Sequence, residues 1–212
     1  MPSLTTIGIL GAGKLGVTLA QLAIKAGYAV HIAGSGSPQK IALSMQVLAP
    51  GSVVATSEQV VQAADIVILA LPLGKYKAIP HAVLQGKLVI DAMNYWWEVD
   101  GPREDFMDPS VSSSRAVQHF LPESRVVKGL NHMGYHDLHD EPRAPGTAGR
   151  KAIAVAGDNS NDVTVVSKLI DSLGFDPLVI GDLDAGAVLE PGHPAFGADL
   201  PLEKLRQTIN LQ

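Results

Sequence analysis

The chain has 212 residues, 46% of them apolar and 17% charged, with a formal net charge of −5. That balance supports a sizeable core, and its mild acidity argues against a nucleic-acid partner, which calls for a basic stripe. The absence of cysteine excludes disulfides, thiolate metal sites, iron–sulfur clusters and a cysteine nucleophile.

The longest strongly apolar run, Ile66 to Leu73, is far short of the ~20 residues that span a bilayer. No basic region precedes the first apolar segment, so it does not read as a signal peptide. A soluble cytoplasmic protein with no membrane partner is the expectation.

In chain order, Thr6–Leu10 reads as a strand entering a glycine-rich turn. Lys14–Ala26 follows as a helix, with Lys14, Thr18, Gln21 and Lys25 on one face and Leu15, Leu19, Leu22 and Ala23 on the other. Gly27 supplies its stop, and Ala29–Gly34 is the second strand. Gln39–Leu48 reads as a short helix closed by Pro50-Gly51. Val53–Thr56 is a third strand, and Ser57 is placed to cap a helix through Ala64. Asp65–Leu71 is continuously apolar after its first residue, the pattern of a central parallel strand buried on both faces. Strands at Lys87–Ala92 and Arg125–Leu130 flank a helix at Ser113–Leu121. Lys151–Ala156 and Pro177–Gly181 are later strands, with a helix at Asn161–Leu173 between them. The loop His139–Arg150 reads as mobile, and Pro201–Leu211 as a last helix.

Strand and helix alternating in this way imply an α/β, doubly wound, mainly parallel sheet with a short C-terminal helical tail. No linker divides the chain. The expectation is one domain over residues 1–212, with a core at 1–181 and an extension at 182–212.

Gly11-Ala12-Gly13-Lys14-Leu15-Gly16 matches G-x-G-x-x-G, directly after a strand and opening a helix. That context marks the dinucleotide fingerprint of a Rossmann-type domain. Gly11 permits the tight turn, Gly13 lets the backbone approach a pyrophosphate, and Gly16 lets the helix pack close to the sheet. The pyrophosphate would rest against free amides at a helix start. NAD binders usually place a carboxylate after the second strand. Here that stretch holds Ser35, Gly36, Ser37 and Lys40 and no acid. Hydroxyls and an ammonium suit a ribose phosphate, so NADP(H) is the expected cofactor.

The chain resembles the deazaflavin-dependent NADP reductase family and its bacterial relatives (NADP oxidoreductases of the coenzyme F420-dependent type). The matching pieces are Gly11–Gly16, Ser35 with Lys40, Ala70-Leu71-Pro72-Leu73, Val89–Asn94, Val126–Asn131, Ala156-Gly157-Asp158 and Glu190–Pro194, in family order. The resemblance implies hydride exchange between NADP(H) and a flavin-like or deazaflavin acceptor. It also places Leu71, Pro72 and Leu73 beside the cofactor's ribose, and Asn94 and Asn131 at the nicotinamide pocket. One departure stands out: Gly36 follows Ser35, where the family commonly has an arginine that grips the extra phosphate.

Asn131 and His132 are the catalytic candidates, Asn131 to orient the carboxamide or hydrogen-bond the acceptor, His132 as its neighbour at the pocket edge. Tyr95, Trp96 and Trp97 read as core or dimer contact, with stacking on a planar acceptor the other choice. His132, His136 and His139 would share a face if helical, but no H-E-x-x-H pattern accompanies them and no metal site is expected. The expected function is an NADP(H)-dependent oxidoreductase with a small-molecule acceptor, and a homodimer would wall the open pocket. A non-catalytic NADP(H) sensor would show the same glycine motif.

Overall fold

The structure, a computed structural model, describes residues 5–210. Leu211, the last residue of the expected tail helix, lies outside them.

Eight strands form one sheet: β1 Thr6–Leu10, β2 Ala29–Ala33, β3 Val53–Val54, β4 Ile66–Leu69, β5 Leu88–Asp91, β6 Arg125–Gly129, β7 Ala152–Gly157 and β8 Asp176–Gly181. Their order is β3-β2-β1-β4-β5-β6-β7-β8, and every neighbouring pair is parallel except β6 with β7. The α/β, doubly wound Rossmann-type reading therefore holds. Each expected strand is present, shifted at its ends by a residue or two.

Alternation explains how both sheet faces are filled. Ile7, Ile9, Ile68, Ile90 and Val127 point one way. There they meet helices α1 (Lys14–Lys25) and, later in the chain, α7 (Ser160–Ser172), through Leu19, Leu22, Val166 and Ile170. Leu10, Val67, Leu69, Val89 and Val126 point the other way, against α3 (Ser57–Ala63) and α5 (Ser113–Phe120). A central strand such as β4, wholly buried, is apolar at every position for this reason. At the far edge, Ala152, Ala154 and Ala156 of β7 pack with Leu189, Ala195 and, from α8 (Leu202–Thr208), Leu205.

Two local expectations change. Helix α3 is capped by Thr56, not Ser57: the Thr56 hydroxyl accepts from the Gln59 amide at 3.3 Å, and the Gln59 side chain accepts from the Thr56 amide at 3.1 Å. The His139–Arg150 segment begins inside a helix, α6 (Tyr135–Asp140). It ends at a buried anchor, because the Arg150 guanidinium reaches Asp171 at 2.7 Å and Asp176 at 2.6 Å. The remaining elements are short: α2 (Gln39–Leu48) stands as expected, while α4 (Trp97–Asp100) and the 3-10 turns Leu73–Ala78 and Leu183–Leu189 carry no strong local signal. No described helix is long and apolar enough to cross a membrane.

Strand order reverses between β1 and β4, and a crevice opens there beyond the carboxyl ends of the strands.

Candidate functional site

The glycine turn occupies that crevice. Gly11 has φ of +120°, and a Cβ there would collide with the Ala70 carbonyl, so the turn and the exit of β4 touch backbone to backbone. A Cβ at Gly16 would collide with the Gly11 carbonyl, which is why α1 can rise so close behind the turn. Gly13 differs from both: a Cβ there would meet nothing within 4 Å. The space over Gly13 is open, and Gly13 is the N-cap of α1 with no side chain capping the helix and no acid in its first turn. The unpartnered amides of that first turn face a gap of the right kind for an anion, so the residues fit a pyrophosphate.

A cleft of about 500 Å³ continues from this turn, bounded by Gly11, Gly34, Ser35, Gly36, Ser57, Leu71, Pro72 and Ile79. Its walls are apolar on the β4 side and hydroxyl-bearing on the β2 side, which suits an adenosine. No carboxylate lines it. Ser35, Ser37 and Lys40 are exposed. Gly36 has φ of +84°, and a Cβ there would lie 3.2 Å from the Lys40 Nζ. The lysine thus folds back over the position where the related family places arginine, which explains how glycine and Lys40 go together. Lys75, from the turn after β4, also lines the cleft. The sequence reading overlooked it, since its place depends on a 3-10 turn that has no local signature. Lys14 points away from the cleft: its ammonium donates to the Tyr135 hydroxyl at 3.0 Å and lies 5.2 Å from that ring's centre.

Past the crevice, the ends of β5 and β6 bring Asn94 and Asn131 together. The Asn94 amide donates to the Asn131 carbonyl at 2.8 Å, and the Asn131 amide donates back to the Asn94 side-chain oxygen at 3.0 Å. Asn131 also donates to the Leu189 carbonyl at 2.8 Å, which fixes its amide orientation, since its oxygen would repel that carbonyl. The Asn131 Oδ1 is buried without a partner. Directly before it, Leu130 sits at φ +63°, a conformation that costs a non-glycine residue about 1–3 kcal/mol and aims the next side chain out of the strand line.

Beneath this pair lies one that sequence reading did not single out. Asp91 and Lys128 are opposite each other in the β5–β6 register, both fully buried, with the ammonium 3.3 Å from the Asp91 carboxylate. The signal was present in the motif pieces, as charges ending two apolar strands, but only strand pairing joins them.

His132 corrects an expectation. It is 1% exposed, within the core rather than at the pocket edge. Its Nε2 accepts from the Ala154 amide at 2.9 Å, so the ring proton sits on Nδ1, which lies toward the Ala195 carbonyl without a hydrogen bond of normal geometry. Burial holds its pKa down at about 4. A neutral, enclosed imidazole ties β7 to the extension and has no access to a reacting atom. Trp96 and Trp97 are also not core: they are 46% and 60% exposed, with Trp96 edge-on to Phe196 at 5.5 Å. His136 and His139 are exposed on α6. Among the described residues no three acidic, histidine or cysteine side chains are grouped to hold a metal ion.

Comparison with known proteins follows the same lines. Residues 6–95 match the family described as NADP oxidoreductase, coenzyme F420-dependent. The chain is 26% identical over 187 residues to the metalloreductase STEAP3 of Rattus norvegicus, covering 87% of this chain and 35% of that protein's length. Among solved structures, a hypothetical protein of Sinorhizobium meliloti superposes with a TM-score of 0.80 at 27% identity, covering 94% of this chain and 97% of the other. A candidate F420-dependent NADP reductase from Arthrobacter sp. FB24 gives 0.72 at 25% identity, covering 87% and 88%. The resemblance drawn from the motifs is therefore met: through residues 6–95, on a Rossmann-type sheet, this chain carries the match to the NADP oxidoreductase, coenzyme F420-dependent family.

Proposed function

We propose that this protein is an NADP(H)-dependent oxidoreductase that exchanges a hydride with a flavin-like or deazaflavin acceptor. The observation that supports the reading is the glycine turn: Gly11 and Gly16 are required by the fold's own contacts, whereas the space over Gly13, at the uncapped start of α1, is open to an anion.

The bound nicotinamide supplies the hydride chemistry. This chain's residues do the rest. The α1 amides hold the pyrophosphate, Ser35, Ser37 and Lys40 hold the ribose phosphate, and Leu71 and Pro72 line the adenosine cleft. Asn94, the partly exposed member of the pair, orients the ring, and the enclosed Asn131 holds the Asn94 side chain in place through its amide. Hydride transfer between stacked rings needs orientation and exclusion of water rather than an acid or base, and the enclosed His132 agrees with that. The exposed Trp96 and Trp97, next to Asn94, offer aromatic surface to a planar acceptor or a second subunit. A cytoplasmic homodimer is the form we expect in solution.

The test is direct. Purified protein is given NADPH with flavin, deazaflavin or ferric acceptors in turn, and oxidation is followed by absorbance. Turnover with a flavin or deazaflavin supports the reading. Tight NADPH binding with no turnover on any of the three overturns the enzymatic part and leaves a sensor. The glycine turn and adenosine cleft would serve a sensor equally well.

A further inference from the structure

The Asp91–Lys128 pair does more than fill the core. Its three bonding partners all belong to the frame of the nicotinamide end. Asp91 Oδ1 accepts from the Met93 amide at 2.9 Å, and Lys128 Nζ donates to the Met93 carbonyl at 2.7 Å. Both backbone groups of one residue, just past the end of β5, are therefore held by side chains rather than by the sheet. Asp91 Oδ2 accepts in addition from the Ser114 hydroxyl at 2.6 Å, which ties the start of α5 to the same point. Asn94 is the next residue after Met93, and Asn131 is three residues after Lys128.

Two buried charges are a costly way to stabilise a core, because apolar residues of similar volume usually do as well or better. What a charge pair can do, and leucine cannot, is fix a peptide group in direction. The extension seals the arrangement: a Cβ at Gly186 would come within 3.0 Å of the Lys128 Cβ and Cγ, so the 3-10 turn lies flat on the lysine stem.

We propose that Asp91, Lys128 and Ser114 form a positioning unit that sets the Asn94–Asn131 amide pair for recognition of the nicotinamide ring. Lys128 and Asp91 are positioning residues and touch no substrate. The inference rests on the dinucleotide reading above. It adds that the nicotinamide half of the cofactor is read through this buried pair, independently of the adenosine half.

The experiment separates the two halves of the ligand. Affinities for NADPH and for adenosine 2′,5′-bisphosphate, which lacks the nicotinamide, are measured by calorimetry on wild type and on the double variant Asp91→Leu/Lys128→Met. The double variant leaves no unpaired buried charge. Wild type is expected to bind NADPH more tightly than the bisphosphate. The double variant should keep its affinity for the bisphosphate, while its NADPH affinity falls about tenfold, the scale of one or two lost hydrogen bonds. Unchanged NADPH affinity in a folded double variant overturns the proposal, and so does equal loss for both ligands. Should the double variant not fold, Ser114→Ala replaces it and is judged by the same contrast, with a loss of about threefold expected for NADPH alone. A wild type that binds neither ligand sinks the dinucleotide reading itself. A wild type that binds both equally sinks only this inference.

Discussion

Gly16 stands directly behind the peptide carbonyl of Gly11, with no room for a methyl group between them. Gly13, three residues earlier, faces open space. The two glycines should therefore fail in different ways. Gly16→Ala forces α1 away from the turn and should cost about 1–3 kcal/mol of stability, the range for overpacking. Gly13→Val should cost about 1 kcal/mol or less, the scale of a poorer N-cap residue, yet lose NADPH binding. Thermal unfolding and calorimetric titration measure the two effects. A Gly13→Val protein that still binds NADPH would remove the basis of the proposed function.

Lys40 bears on cofactor choice. With the ammonium folded over Gly36 and no carboxylate lining the cleft, Lys40→Ala should weaken NADPH about tenfold or more, the scale of one charge-assisted hydrogen bond. NADH should be affected little. Paired binding curves decide it, and equal losses for the two cofactors would speak against a phosphate contact.

His132 sets an acid limit. Its folded pKa of about 4 lies below the ordinary 6.5, so the unfolded chain binds a proton that the folded one refuses. The sign follows: stability is full above pH 6.5, declines as pH falls toward 4, and is lower by about 3 kcal/mol beyond it. Denaturant melts between pH 7 and 4 should show this slope. His132→Gln, which keeps an acceptor for the Ala154 amide, should flatten it.

Glu190 joins the extension to α5. Its carboxylate accepts from the Ser113 amide at 2.7 Å and lies 3.4 Å from Arg103. Glu190→Ala leaves a buried amide unpaired and should cost about 1–3 kcal/mol in urea unfolding. An unchanged midpoint would mean that another acceptor takes over.

The large features were legible because they are local. β4 announces itself as an unbroken apolar run, and α1 by its spaced leucines. The Gly11–Gly16 turn carries its own spacing. The Asn94–Asn131 end of the site was legible only as motif pieces. Asn94 and Asn131 are 37 positions apart, and nothing near either asparagine tells that each bonds the other. Asp91 and Lys128 read as charges that stop strands, until register sets them face to face. His132 misled because proximity in sequence to Asn131 is not proximity to a pocket: Leu130 turns the chain at φ +63°, and the next two side chains part company. Helix α6 went unread because it spans only six residues and starts after a glycine.

Running β7 against β6 has a consequence for the rest of the chain. Since β8 is parallel to β7, Gly181 emerges at the edge remote from the glycine turn. The residues that follow must climb back along the face of the sheet before Leu189 can reach Asn131. They act as a strap drawn from the floor of the molecule to its rim, fastened midway where Arg115 grips Asp184 at 2.9 Å. Loosening that midpoint should be felt at the rim, where Leu189 meets Asn131.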